Sequence, residues 1–163
     1  MTRRPSRNQN PSRSALAVQA VETNTFRFAE ERGEAQLRLD GSVLLVRSAG
    51  HISATHSEHV LAQMHAWMNA LPHVEVFVDF YQVNGYNTAA RLGATAWCRK
   101  YRTRVESVHF LTKPGIVAMG VATAAMTLTI LGLRVEAHRS PDAFRQQHAL
   151  ACARIAPTAA AAL

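Results

Sequence analysis

Five histidines, His51, His56, His59, His65 and His73, crowd a 23-residue window. Imidazole is the commonest protein ligand for a transition metal, so their spacing is the first chemical question. His56 and His59 are three residues apart and share a helical face. His65 falls about 120–180° away from them at 100° per residue. These rings do not converge on one ion without help from elsewhere, and there is no His-Glu-x-x-His pair. The expectation is a set of solvent-facing histidines and no metal site.

Nucleophilic chemistry finds less support. Cys98 and Cys152 cannot form a disulfide framework, and neither has an obvious histidine partner in sequence. The chain contains no Gly-x-Ser-x-Gly elbow and no phosphate-binding glycine loop. Asp79, at the end of an apolar run, is expected to satisfy loop amides rather than to act as an acid or base. No catalytic residue, enzyme activity or cofactor is expected.

The segment Asn84-Gly85-Tyr86-Asn87-Thr88 is the most suggestive loop. It lies between a strand expected over Val74–Phe80 and a helix expected over about 89–104. Asn87 or Thr88 is placed to cap that helix. The free amides and the helix dipole there favour an anion. A phosphate on Thr88 would sit at that spot with Arg91 one turn away. Arg91, Arg99 and Arg102 form a basic stripe on the same helix, whose ordinary reading is a solvated face. No aromatic residues interleave it as a base-stacking platform would need, so nucleic acid is not an expected partner.

The elements that must position these residues follow from periodicity. Phe26 and Phe28, then Leu37 and Leu39, alternate with polar neighbours, and Asp40-Gly41 marks a hairpin before Val43–Val46. Thr55-His-Ser-Glu58 reads as a capping box for a helix with Val60, Met64, Trp67 and Leu71 on one face, stopped at Pro72. Ala90, Ala94, Trp97 and Tyr101 mark the buried face of the second helix. A strand follows at Ser107–Thr112. Residues 114–133 carry no charge. Their glycines and threonines favour a buried helix over about 116–131, with Gly120, Thr123 and Thr127 in a close-packing stripe, rather than a transmembrane segment. Leu133–Ala137 alternates as a strand, and Ser140-Pro141-Asp142 starts a last helix running toward Pro157. Strands alternating with helices predict an α/β fold, with a mixed, mainly parallel four- to five-stranded sheet covered by about four helices.

The chain has 163 residues, 18 Lys+Arg and 11 Asp+Glu. Arg3, Arg4, Arg7 and Arg13 fall in an opening stretch without acids. Residues 1–23 are therefore expected to be a disordered basic arm, 24–155 the domain, and 156–163 an Ala-rich tail. The two cysteines suit reduced thiols in the cytoplasm.

The strand VEVFVDF, the loop YQVNGYNT, the strand SVHFLT and the segment LTILGLRVEAHRSPDAF together resemble the STAS domain. The nearer resemblance is to its SpoIIAA-like branch, which overlaps in fold with CRAL-TRIO lipid carriers. The resemblance spans about residues 35–150. It implies a non-catalytic regulatory module like the anti-sigma-factor antagonists, docking a kinase or anti-sigma-like protein through residues 84–91. In that family a serine of an Asp-Ser-Ser-Gly loop accepts phosphate. The aspartate falls here at Asn87, the first serine at Thr88 and the usual acceptor at Ala89, which has no hydroxyl. Thr88 is the local substitute. The CRAL-TRIO kinship and the uncharged 114–133 stretch imply the alternative, a binder of an apolar small molecule or lipid.

Overall fold

The computed structural model describes residues 19–20 and 24–160. A seven-stranded sheet follows the chain without any reordering, from β1 (Gln19–Ala20) through β2 (Thr25–Glu30), β3 (Gly33–Asp40), β4 (Val43–Ile52), β5 (Val74–Tyr86) and β6 (Val105–Leu111) to β7 (Arg134–His138). Strands β1 to β4 form an antiparallel meander, and β4 to β7 are parallel. Three helices, α1 (Ala54–Met68), α2 (Thr88–Lys100) and α3 (Ile116–Ile130), make the crossovers, and α4 (Pro141–Ala160) follows β7. The mixed α/β class is the one expected, with more strands than the four or five anticipated. The expected disordered arm lies outside the described residues except for Gln19–Ala20, which pair with β2.

Sequential strand order decides where the helices go. Parallel crossovers are right-handed, so connections that always step the same way across a sheet leave their helices on one face. Val46, Val76, Val78, Val108 and Phe110 point to that face and pack with Val60, Met64, Trp97, Val117 and Leu128 of α1, α2 and α3. The alternate residues Val43, Leu45, Phe77 and Leu111 meet Phe144 and Ala151 of α4 on the other face. Burying a side chain such as Phe77 contributes about 1.5–3 kcal/mol.

Several boundaries differ from the sequence reading. The first helix is capped by Ser53, whose hydroxyl accepts from the His56 amide at 3.0 Å, and Thr55 and Glu58 lie inside the helix. The start is earlier because β4 runs on to Ile52, paired with an extension of β5 at His51↔Gly85 and Ile52↔Tyr86. The second helix stops at Lys100, and residues 101–104 form a turn. Arg104 in that turn donates to the carbonyls of Met68 and Leu71, tying down the end of α1. The last helix continues through Pro157 to Ala160. The helix over 116–130 is only half buried: Ile116, Met119, Met126 and Ile130 are each at least two-thirds exposed. Its Gly120 is buried, whereas Thr123 and Thr127 face outward and donate to the carbonyls one turn back, so the expected small-residue stripe does not pack. Among the described residues no helix is long and apolar enough to cross a membrane.

Gly50 sits in β4 at a register shift, with φ +76, where a Cβ would stand 2.3 Å from the Arg32 carbonyl oxygen. Gly132 has φ +84 and nothing within 4 Å of its Cβ position. Gly132→Ala should therefore cost only the left-handed backbone term, about 1–2 kcal/mol. Gly50→Ala should cost clearly more, because backbone must move as well. Equal losses in denaturant unfolding would contradict this account of the bulge.

Candidate functional site

An apolar cavity of about 130 Å³ lies between the sheet and the three crossover helices. Val46, Val76, Val78, Val108 and Phe110 form its floor, and Val60, Met64, Val117, Val121 and Leu128 form its sides. The second helix covers it with Ala90, Ala94, Trp97 and Cys98. That helix packs chiefly against α1 and α3. Gly93 permits this on one side, since a Cβ there would meet the Leu61 methyl at 3.0 Å. Small side chains at Ala90 and Ala94 then leave space between α2 and the floor. Ala94 was expected on the buried face; it is exposed to solvent and lines the cavity.

The cavity has a short polar wall. Ser48, His56 and Ser57 are all buried there. His56 Nε2 lies 3.3 Å from the Ser48 hydroxyl. His56 Nδ1 faces Glu30 Oε1 at 4.0 Å, and neither atom has a hydrogen-bond partner among the described residues. Phe28 stacks on His59 with ring centroids 4.6 Å apart and meets His56 edge-on. The solvent-facing reading of the histidine window therefore fails for His56, which is 1% exposed. Its face of α1 turns inward because Ser53 starts the helix and the β2–β3 hairpin covers it. Trp97 supplies the other polar feature: its buried indole N–H has no acceptor among the described residues.

The loop residues are divided between strand and cavity. Asn84, Gly85 and Tyr86 belong to β5 rather than to a loop. Asn87 caps α2, accepting from the Ala89 amide at 2.8 Å, while its own amide donates to the Ile52 carbonyl. Thr88 is the first helical residue and is exposed. Tyr86 and Arg91 line the cavity, and Tyr86 lies against Gly120, where a Cβ would stand 2.0 Å from its hydroxyl. Arg99 is exposed on α2, and Arg102 falls in the turn beyond it, so the expected stripe of three is not continuous. Asp79 lies inside β5 rather than at its end, and accepts from the Tyr81 amide of the same strand at 3.0 Å instead of from a loop.

The structure brings together groups that sequence reasoning missed. His148 and Cys152, one helical turn apart on α4, approach to 3.7 Å, so Cys152 does have a histidine partner. Burial raises its thiol above the ordinary value, and burial pushes that of Cys98 up to about 12, so both are protonated at neutral pH. On the same face of the sheet, Glu75, His109, Glu136 and His138 form a polar cluster. The available signal was the period-two pattern of Ser107-x-His109 and Arg134-x-Glu136-x-His138 on neighbouring strands.

Burial holds the His56 imidazole below its ordinary value of 6.5, against an opposing pull from Glu30 and with a smaller push from His51. Below pH 6.5 the unfolded chain takes up a proton that the folded chain resists. The stability contributed by neutral His56 is therefore full above 6.5 and is lost as pH falls through that value toward the folded one. His56→Gln should flatten the fall in unfolding free energy between about pH 7.5 and 5.5 relative to wild type. Parallel pH profiles for the two proteins would contradict the assignment.

Compared with known proteins, the chain matches no family profile and no curated relative. A solved structure from Shewanella loihica PV-4, an uncharacterized protein from the DUF3478 family with a SpoIIAA-like fold, superposes on it with a TM-score of 0.51. The match covers 82% of this chain and 91% of that one at 9% sequence identity. At that identity the likeness shows fold alone: the chain has a SpoIIAA-like α/β fold.

Proposed function

We propose that the protein is a non-catalytic binding domain that holds a small, mainly apolar molecule in the cavity beneath α2. The observation carrying this reading is the cavity itself, about 130 Å³ and lined almost wholly by aliphatic and aromatic side chains. A well-packed interior has few voids larger than a water molecule. A fully enclosed engineered cavity of roughly 150 Å³ with similar walls binds benzene; the space here also reaches solvent beside exposed Ala94, which gives a ligand a way in. The unpaired Trp97 N–H suits a ligand with one hydrogen-bond acceptor, and the Ser48–His56 wall suits a second polar end. Neither cysteine has a thiolate to offer at neutral pH, which agrees with binding rather than turnover.

A second reading is favoured by the exposed stripe Ile116, Met119, Met126 and Ile130 on α3. Steps of three, seven and four residues place all four on one helical face, and exposed apolar patches of this kind mark protein contacts. In this reading the domain also docks a regulatory protein, with exposed Thr88 as the phosphoacceptor at the start of α2. A substitution at Gly85 is a poor probe of it, because a Cβ there would meet the His51 ring at 2.9 Å and disturb β4–β5 pairing.

Native mass spectrometry and thermal-shift titration with benzene and indole test the cavity. The wild type should bind one molecule with micromolar to millimolar affinity. Ala90→Leu, which fills the space under α2, should abolish binding while the melting temperature holds or rises. Undiminished binding by Ala90→Leu, or none by wild type, would overturn the primary reading. Met126→Glu should leave probe binding unchanged and remove protein partners captured by wild type; identical partner sets would overturn the second.

A further inference from the structure

We propose that His109, Glu136 and His138 form a binding site for a late first-row divalent cation of the zinc class, on the α4 side of the sheet. The strands bring these residues together by register. His109 of β6 is paired with Glu136 of β7, and His138 is the next residue on the same face of β7. Three donor atoms converge. His109 Nδ1 is 3.3 Å from His138 Nε2 and 3.5 Å from Glu136 Oε2, and His138 Nε2 is 4.0 Å from that oxygen. Ligands held about 2.0–2.1 Å from a tetrahedral ion lie about 3.3–3.4 Å from one another. The triangle therefore needs only sub-ångström closure to take a metal. Two imidazoles and one carboxylate match the borderline softness of zinc, cobalt(II) and nickel(II) better than that of calcium or magnesium.

The surrounding contacts orient the donors as a metal site requires. The other ring nitrogen of His109 donates to Glu75 Oε1 at 3.1 Å, which leaves Nδ1 with its lone pair free for the ion. Arg154 holds Glu75 through the other oxygen at 2.8 Å. Arg134 donates to Glu136 Oε1 and leaves Oε2 for coordination. Phe77 stacks flat on His109 with centroids 4.3 Å apart and an interplanar angle of 4°, and Phe144 lies edge-on to His138. His109 is buried, while Glu136 and His138 are partly open, so a water can complete the fourth position from the β7 edge. The site lies on the opposite face from the apolar cavity and does not depend on it.

The test titrates metal-free, untagged protein with zinc ion by calorimetry and with cobalt(II) by visible absorption. One equivalent should bind, with ligand-field bands from cobalt, and zinc should raise the melting temperature. His138→Ala should weaken binding by at least about tenfold. Glu136→Gln should do so too, with a smaller change in packing. Circular dichroism of each metal-free variant establishes that it is folded. Cys152→Ser should bind as wild type does, which separates this site from the neighbouring Asp40, His148 and Cys152 group. Failure of wild type to bind either ion would overturn the proposal. So would undiminished binding by both site variants, or loss of binding in Cys152→Ser.

Discussion

The parity of the parallel strands is the constraint on which this molecule rests. In β4, β5, β6 and β7 consecutive side chains point to opposite faces, and the strands are paired so that like faces align. Val76 pairs with Val108, which pairs with Val135; Phe77 pairs with His109, which pairs with Glu136. A slip of one residue in β6 would drive His109 into the aliphatic core and bring Val108 or Phe110 out among carboxylates. The cost would be several buried hydrocarbon contacts plus an unpaired buried imidazole, which fixes the register far more firmly than the backbone hydrogen bonds do.

Because the strand order never reverses in the parallel half, the crossover helices share one face and the other receives α4 alone. The two faces therefore differ in kind. Three helices over one face must divide it between them, and α2, packed on α1 and α3, leaves the apolar space beneath it. The sheet has no switch in direction among its parallel strands to open the crevice where many α/β proteins bind ligands. Its cavity is between layers instead. On the opposite face a single helix covers Val43, Leu45, Phe77 and Leu111, and polar side chains occupy the margin along β7.

Much of the fold was legible in local pattern. The Asp40–Gly41 hairpin, the strand beginning at Val74, the uncharged helix near 116–130 and the Ser140-Pro141-Asp142 start were all marked by turn chemistry or period. The β2–β3 turn at Glu31–Arg32 contains no glycine or asparagine within it, and the length of β5 past Phe80 depends on pairing with β4, so neither could be read locally. The site was harder. The five clustered histidines are neighbours in sequence and are conspicuous there. His109 and His138 are 29 residues apart and become neighbours only when β6 and β7 pair. The cavity was equally hidden, since Ala90 and Ala94 read as a packing face until the helices set how far α2 stands from the floor.

Strand parity sorts the side chains between the two layers, and nuclear Overhauser contacts across those layers test that sorting. Phe77 and Leu111 should show contacts to Phe144 and Ala151, while Val78 and Phe110 should show them to Val117, Val121 or Leu128. Contacts from Phe77 to Val121 or Leu128 would place the strand in the opposite parity, and neither the cavity nor the histidine–glutamate cluster could then exist as described.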